Sequence, residues 1–167
     1  RMRPERLEDA DSPRPRRRRP WVRGPLMNVP ALPPTVTCPH CDAAVVAFAV
    51  PPDLREHAPA AETAICTRCL RTTPAAEADV SARDVAAAES ADFAPVDSAF
   101  PSGEAGVALA LVCGHLESLA LERESVETLI EHAERAGADV FAFLGRLDAA
   151  DAAFDLDRRR AALLDLL

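Results

Sequence analysis

The sequence predicts an α+β fold: a small β unit built around two cysteine pairs, then a compact α-helical bundle. Three observations predict it. Two C-x-x-C pairs, Cys38-Pro39-His40-Cys41 and Cys66-Thr67-Arg68-Cys69, are separated by 24 residues. Short runs rich in Val, Ile and Thr flank both pairs and stop at prolines, as strands do. Beyond residue 103, apolar residues recur at the i, i+3, i+4, i+7 spacing of helices with one buried face.

Residues 1–26 stand apart from the rest. They hold nine of the 19 Arg, four acidic residues, several prolines and the run Arg16-Arg17-Arg18-Arg19. A segment so charged and so poor in apolar periodicity is expected to be disordered. It reads either as a basic arm or as residues upstream of a true start at Met27. The abrupt reversal of charge sign at Met27 favours the second reading.

Residues 27–74 are expected to form the β unit. Thr35-Val36-Thr37 runs into the first cysteine hook. The β-branched stretch Val45 to Val50 ends at Pro51-Pro52, and Glu62-Thr63-Ala64-Ile65 leads into the second hook. Arg71-Thr72-Thr73 leaves it before Pro74. Residues 75–102 read as a connector anchored by Phe93 and Phe100, with a short helix over Ala82–Glu89 on an alanine stripe.

Residues 103–167 read as a helical bundle. The first helix is expected over Glu104–Leu121, capped by Ser102 and apolar on most faces as far as Leu116, hence buried. The second, Glu124–Ala136, places Val126, Leu129, Ile130 and Ala133 on one face and ends at Gly137. The third starts at an Asp139 cap and carries Val140, Phe143, Leu144 and Leu147. The last begins near Asp155 or Asp157 and ends in leucines.

Cys38, Cys41, Cys66 and Cys69 are the candidate metal ligands. Thiolate is a soft, strong donor that loses its proton on binding. A two-residue gap lets both sulfurs of a hook wrap one ion, and two hooks complete a closed tetrahedral shell. Closed shells are structural, which argues against hydrolytic catalysis. Zinc is the expected ion, one per chain. Iron uses the same four ligands, and a redox dithiol would need one pair at a helix start.

The remaining candidates are weaker. His40, inside the first hook, reads as an exposed tip because four sulfurs already fill the shell. Cys113 and His115 sit two apart on a helix and face different ways; Cys113 reads as core. His132 is expected on a solvated helix face and His57 in a loop, neither beside a nucleophile. The sequence has no phosphate-binding loop or dinucleotide fingerprint.

Charge narrows the partners. Lys is absent, and from Met27 onward 10 Arg face 23 acidic residues, a net of −13. That balance opposes binding to a phosphate backbone, which needs clustered positive charge. Dense carboxylates keep a protein hydrated in concentrated salt, where the Debye length shrinks to about 3 Å at 1 M and self-repulsion is screened. The longest apolar stretch, Ala105 to Leu116, is too short to cross a membrane. The start has no apolar signal core, and paired thiols suit a reducing cytoplasm.

The hook Cys38-Pro39-His40-Cys41 with its Cys66…Cys69 partner resembles the zinc-ribbon class. Asp42 stands where that class favours Gly after the hook, a position with left-handed backbone. The stretch Phe100-Pro101-Ser102-Gly103-Glu104-Ala105-Gly106-Val107-Ala108-Leu109-Ala110-Leu111 is similar to an uncharacterised zinc-ribbon family of halophilic archaea, a domain of unknown function. The resemblance implies a ribbon plus a helical body over Met27 to Leu167, with no activity attached. The expectation is therefore a non-enzymatic zinc-binding protein that docks a protein partner. The alternatives are a nucleic-acid-associated factor using His40, Arg68 and Arg71, and a thiol-redox protein.

Overall fold

Among the described residues three short strands pair antiparallel in chain order: β1 (Val45–Ala49), β2 (Glu62–Cys66) and β3 (Thr72–Pro74). This computed structural model describes residues 36–166. The Arg-rich segment 1–26, the expected start at Met27 and Thr35 of the lead strand lie outside the described residues. Register runs from Val45 opposite Cys66 to Ala49 opposite Glu62, and Thr63 faces Pro74 across the second pair. A further bridge, Thr37 to Ala44, pinches the chain together on either side of the first hook. The sheet thus carries both hooks at one end.

The helix expected over Ala82–Glu89 does not form. Ala82–Asp84 and Ala88–Ser90 are single 3-10 turns, and between them Ala86 bridges in parallel to Phe48. The Ala49 N–H donates to the Ala86 carbonyl at 2.8 Å, and the Ala86 N–H donates to the Ala47 carbonyl at 3.1 Å. The physical reason is a competition. A stripe of alanine methyls buries too little apolar area to hold a short helix. The open edge of β1 offers backbone partners that would otherwise go unpaired.

Among the described residues four helices follow: α1 (Gly103–His115), α2 (Arg123–Arg135), α3 (Val140–Arg146) and α4 (Leu156–Leu166). Helix α1 ends earlier than the expected Leu121 and tightens into a 3-10 turn, Leu116–Ser118. Ser102 occupies its cap position without a side-chain hydrogen bond. Every residue from Ala105 to Cys113 is buried, so α1 is the hub that its all-round apolar sequence implies. It packs on α2, on β3 and on the Ala88–Ser90 turn. A Cβ at Gly114 would strike Thr72 of β3, and one at Gly106 would strike the Phe93 ring and the Pro101 carbonyl. Both glycines are there for close approach.

Helix ends are closed as their sequences dictate. Gly137, at φ 92°, lets α2 finish in a Schellman motif: its N–H donates to the Glu134 carbonyl and the Ala138 N–H to the Ala133 carbonyl. The Asp139 carboxylate accepts from the Ala142 N–H at 2.8 Å, capping α3. Asp155 does the same for Arg158 at the start of α4, at 3.0 Å.

One apolar core runs through strands and helices alike. Four phenylalanines mark its line. Phe48 of β1 meets Phe93 edge-on at 5.2 Å between ring centroids, Phe93 stacks on Phe100 at 5.1 Å, and Phe100 meets Phe143 of α3 at 4.6 Å. Such contacts add about 0.5–1.5 kcal/mol each beyond burial. They matter here because the aromatic content is only 4%.

Candidate metal centre

The two hooks bring Cys38, Cys41, Cys66 and Cys69 together so that their four sulfurs all lie within 4.8 Å of one another. Cys38 Sγ is 3.7 Å from Cys69 Sγ, and Cys41 Sγ is 3.4 Å from Cys66 Sγ. A tetrahedral ion with metal–sulfur bonds of about 2.3 Å sets its sulfurs about 3.8 Å apart. The cluster fits such an ion in number, chemistry and spacing. Cys38 and Cys66 are 1% exposed and Cys69 is 5% exposed, whereas Cys41 is half-buried.

The hooks are built alike. In each, the first cysteine N–H donates to the carbonyl five residues on: Cys38 to Ala43 at 2.8 Å, Cys66 to Arg71 at 2.9 Å. In each, the residue after the second cysteine is left-handed, Asp42 at φ 58° and Leu70 at φ 61°. Backbone N–H groups turn toward the sulfurs, from His40 to Cys38 and from Arg68 and Cys69 to Cys66, all at 3.4 Å. These donors would stabilise thiolate charge around an ion. Thr67 ties hook to hook, its N–H and its hydroxyl both donating to the Ala44 carbonyl at 3.0 Å.

The thiols respond to this setting unequally. Burial pushes Cys66 up and pushes Cys69 up strongly. At Cys41 burial also acts upward, but the Ala43 N–H and the neighbouring thiols outweigh it and the thiol is lowered.

Two residues anchor the second hook to the helical part. The Arg71 guanidinium grips Glu117 with two bonds, Nε to Oε2 at 2.8 Å and Nη2 to Oε1 at 2.6 Å. The hydrogen bonds from Arg71 hold the Glu117 carboxyl below its ordinary range, against the upward push of burial. Arg159 of α4 also donates to the Glu117 carbonyl at 2.9 Å. From the other side the Ala153 N–H donates to the Cys69 carbonyl at 3.0 Å, and Ala153 packs on the cysteine cluster with Ala43 and Val45. Glu117, Ala153 and Arg159 are invisible to sequence reasoning because each lies more than 40 residues from its partner.

The histidines correct the sequence expectation. His132 is not solvated: its side chain is 13% exposed and faces Asp53 at 3.4 Å. His57 lies in the 3-10 turn Pro52–His57, and its Nδ1 sits 3.1 Å from the Ser125 hydroxyl of α2. A hydroxyl therefore does stand beside it. The depression there is also lined by Glu56 and Glu124, whose charges would oppose a developing oxyanion, so the contact reads as a tether. His115 Nε2 meets the His57 carbonyl at 2.6 Å, fastening the same turn to α1. Cys113 is fully buried and pushed up to about 12 by that burial, an inert core thiol as expected. Cys113 lies apart from the cluster.

Fold and site together define an α+β protein with a four-cysteine cluster compatible with a structural metal site. The chain belongs to the family of unknown function DUF6276, which matches residues 37–167 and so spans the hooks and all four helices. No curated protein and no solved structure matched it. Among the described residues no helix is long and apolar enough to cross a membrane.

Proposed function

We propose that this is a non-enzymatic zinc-binding protein whose four-cysteine site is structural and whose helical surface docks a protein partner. The carrying observation is the closed set of four sulfurs at near-tetrahedral spacing. With all four positions taken by sulfur, an ion there has no open place for water or substrate. Zinc would tie the two hairpins into one unit and supply folding free energy that this alanine-rich core lacks.

A shallow groove of about 220 Å³ between α3 and α4 supports the docking part of the reading. It is lined by Phe141, Leu144, Leu163 and Leu164, and Leu164 is 63% exposed. A nucleic-acid role is less well supported. Arg71 is engaged by Glu117, and Arg68 shares its surface depression with Asp42, Asp148 and Asp151. A four-thiol centre persists in a reducing cytoplasm, where we place the protein. The net of −13 past Met27 fits a salt-rich cell.

Elemental analysis of the purified chain tests the metal. About one zinc per chain, lost in Cys66→Ser, is the expected result. Iron, or a metal-free protein that unfolds no differently in Cys66→Ser, overturns the reading. For docking, a partner that co-purifies in fixed ratio should be lost on Leu164→Glu.

A further inference from the structure

We propose that Cys41 is the oxidation-sensitive position of the centre, and that hydroperoxides convert the Cys41 and Cys66 thiols into a disulfide that joins the two hooks. The inference rests on the four-thiolate zinc reading. It goes further by assigning a modification site, a reagent class and a bond.

Two independent observations carry it. The first is access. Among the four cluster cysteines only Cys41 is half-buried, while Cys38, Cys66 and Cys69 are 5% exposed or less. A small oxidant therefore meets Cys41 first, and oxidation follows exposure. The second is the resolving partner. Cys66 Sγ lies 3.4 Å from Cys41 Sγ and belongs to the opposite hook. The remaining pair, Cys38 and Cys69 at 3.7 Å, also crosses between hooks.

The step balances. The Cys41 thiolate attacks one oxygen of the hydroperoxide; a sulfur–oxygen bond forms, the oxygen–oxygen bond breaks and the alcohol, or water from hydrogen peroxide, departs. The Cys66 thiolate then attacks the sulfenic sulfur, the sulfur–sulfur bond forms and the oxygen leaves as water. Two thiols have lost two electrons and the peroxide has gained them. Two sulfurs remain to hold an ion, too few for a closed shell.

The cross-hook direction decides the consequence. Disulfides within each C-x-x-C would leave the two hooks joined only by the β1–β2 ladder and the Thr67–Ala44 hydrogen bonds once the ion left. A Cys41–Cys66 bond replaces the ion with a covalent link between them. The β unit then keeps its hook-to-hook junction while releasing zinc.

The test uses the full chain, assayed for zinc first and then titrated with hydrogen peroxide while a chromogenic chelator reports release. Trypsin cuts after Arg55, Arg68 and Arg71, so Cys66 and Cys69 fall in different peptides and Cys38 and Cys41 share another. The expected product is peptide 24–55 linked to peptide 56–68, with fragmentation assigning the bond to Cys41 and a dimedone adduct at Cys41 when trapping precedes closure. Release of about one zinc per chain should accompany it. A first disulfide within either hook, a first adduct at Cys38, Cys66 or Cys69, or release with only sulfinic products overturns the inference and leaves the zinc reading standing. Absence of zinc at the outset overturns the zinc reading itself, and this inference with it.

Discussion

Asp42 and Leu70 share one backbone conformation, φ 58° and φ 61°, each directly after the second cysteine of its hook. The equivalence shows that left-handed turn to be a demand of the hook, met here without glycine at either position. It is met differently. Asp tolerates the left-handed region through its short polar side chain, whereas Leu70 is 1% exposed and offsets the strain by filling the core.

Replacing these two residues by glycine should therefore have opposite results. Asp42→Gly relieves strain at a surface turn and should change stability by no more than about 1 kcal/mol, in the stabilising direction. Leu70→Gly relieves the same strain but empties a core site, and should destabilise by about 2–4 kcal/mol. Urea unfolding of the metal-loaded proteins measures both. A stabilised Leu70→Gly would show that the core term is smaller than the backbone term.

The Arg71–Glu117 pair should contribute about 0.5–1 kcal/mol, a modest amount because both side chains are more than a third exposed and screened by water. The sign with pH follows from the lowered Glu117 carboxyl. The contribution is complete above the unfolded carboxylate range of about 4.3 and is lost as pH falls through the lowered folded value. Glu117→Gln should flatten that limb of the stability profile and weaken its dependence on salt. An unchanged acid limb would count against the pair.

Close packing of α1 makes a third expectation. Gly114→Ala should push the helix off β3 and cost about 1–3 kcal/mol, read as a lower melting temperature. Gly145 in α3 is the control. A Cβ there meets nothing within 4 Å, so Gly145→Ala should be neutral or stabilise by up to about 1 kcal/mol on helix propensity.

Thiol counting separates the cluster from the core. Iodoacetamide should label half-buried Cys41 first among the described cysteines and leave Cys113, which is enclosed in the core, until denaturant is added. Early labelling of Cys113 would show that α1 opens without global unfolding.

The four cysteines were legible because each C-x-x-C pair is a local pattern, and the fold brings the two pairs together. Helix α2 was legible because Val126, Leu129, Ile130 and Ala133 repeat at the helical period, and Gly137 and Asp139 because caps are local chemistry. The connector was not. Ala86 joins the sheet through backbone bonds to Ala47 and Ala49, and no side-chain pattern records a backbone bond. Leu70 was missed for a related reason: its core packing conceals a backbone state normally signalled by glycine. Arg71 looked like a free basic tip because its partner, Glu117, reaches it only through the tertiary fold. His132 read as solvated because Asp53 comes from another segment.

The hydrogen bond from the Ala153 N–H to the Cys69 carbonyl orders events in time. As the chain leaves the ribosome, both hooks emerge before α1 to α3 are complete and well before residue 153. On the proposed zinc reading, the nascent hairpins would be free to take up an ion while the segment that packs beside Cys69 is still unmade. Once that segment docks, Cys69 opens to solvent only with local opening around residue 153, while half-buried Cys41 keeps its access. On the proposed zinc reading, ion exchange by way of Cys69 would then be only as fast as that one stretch of chain lifts away.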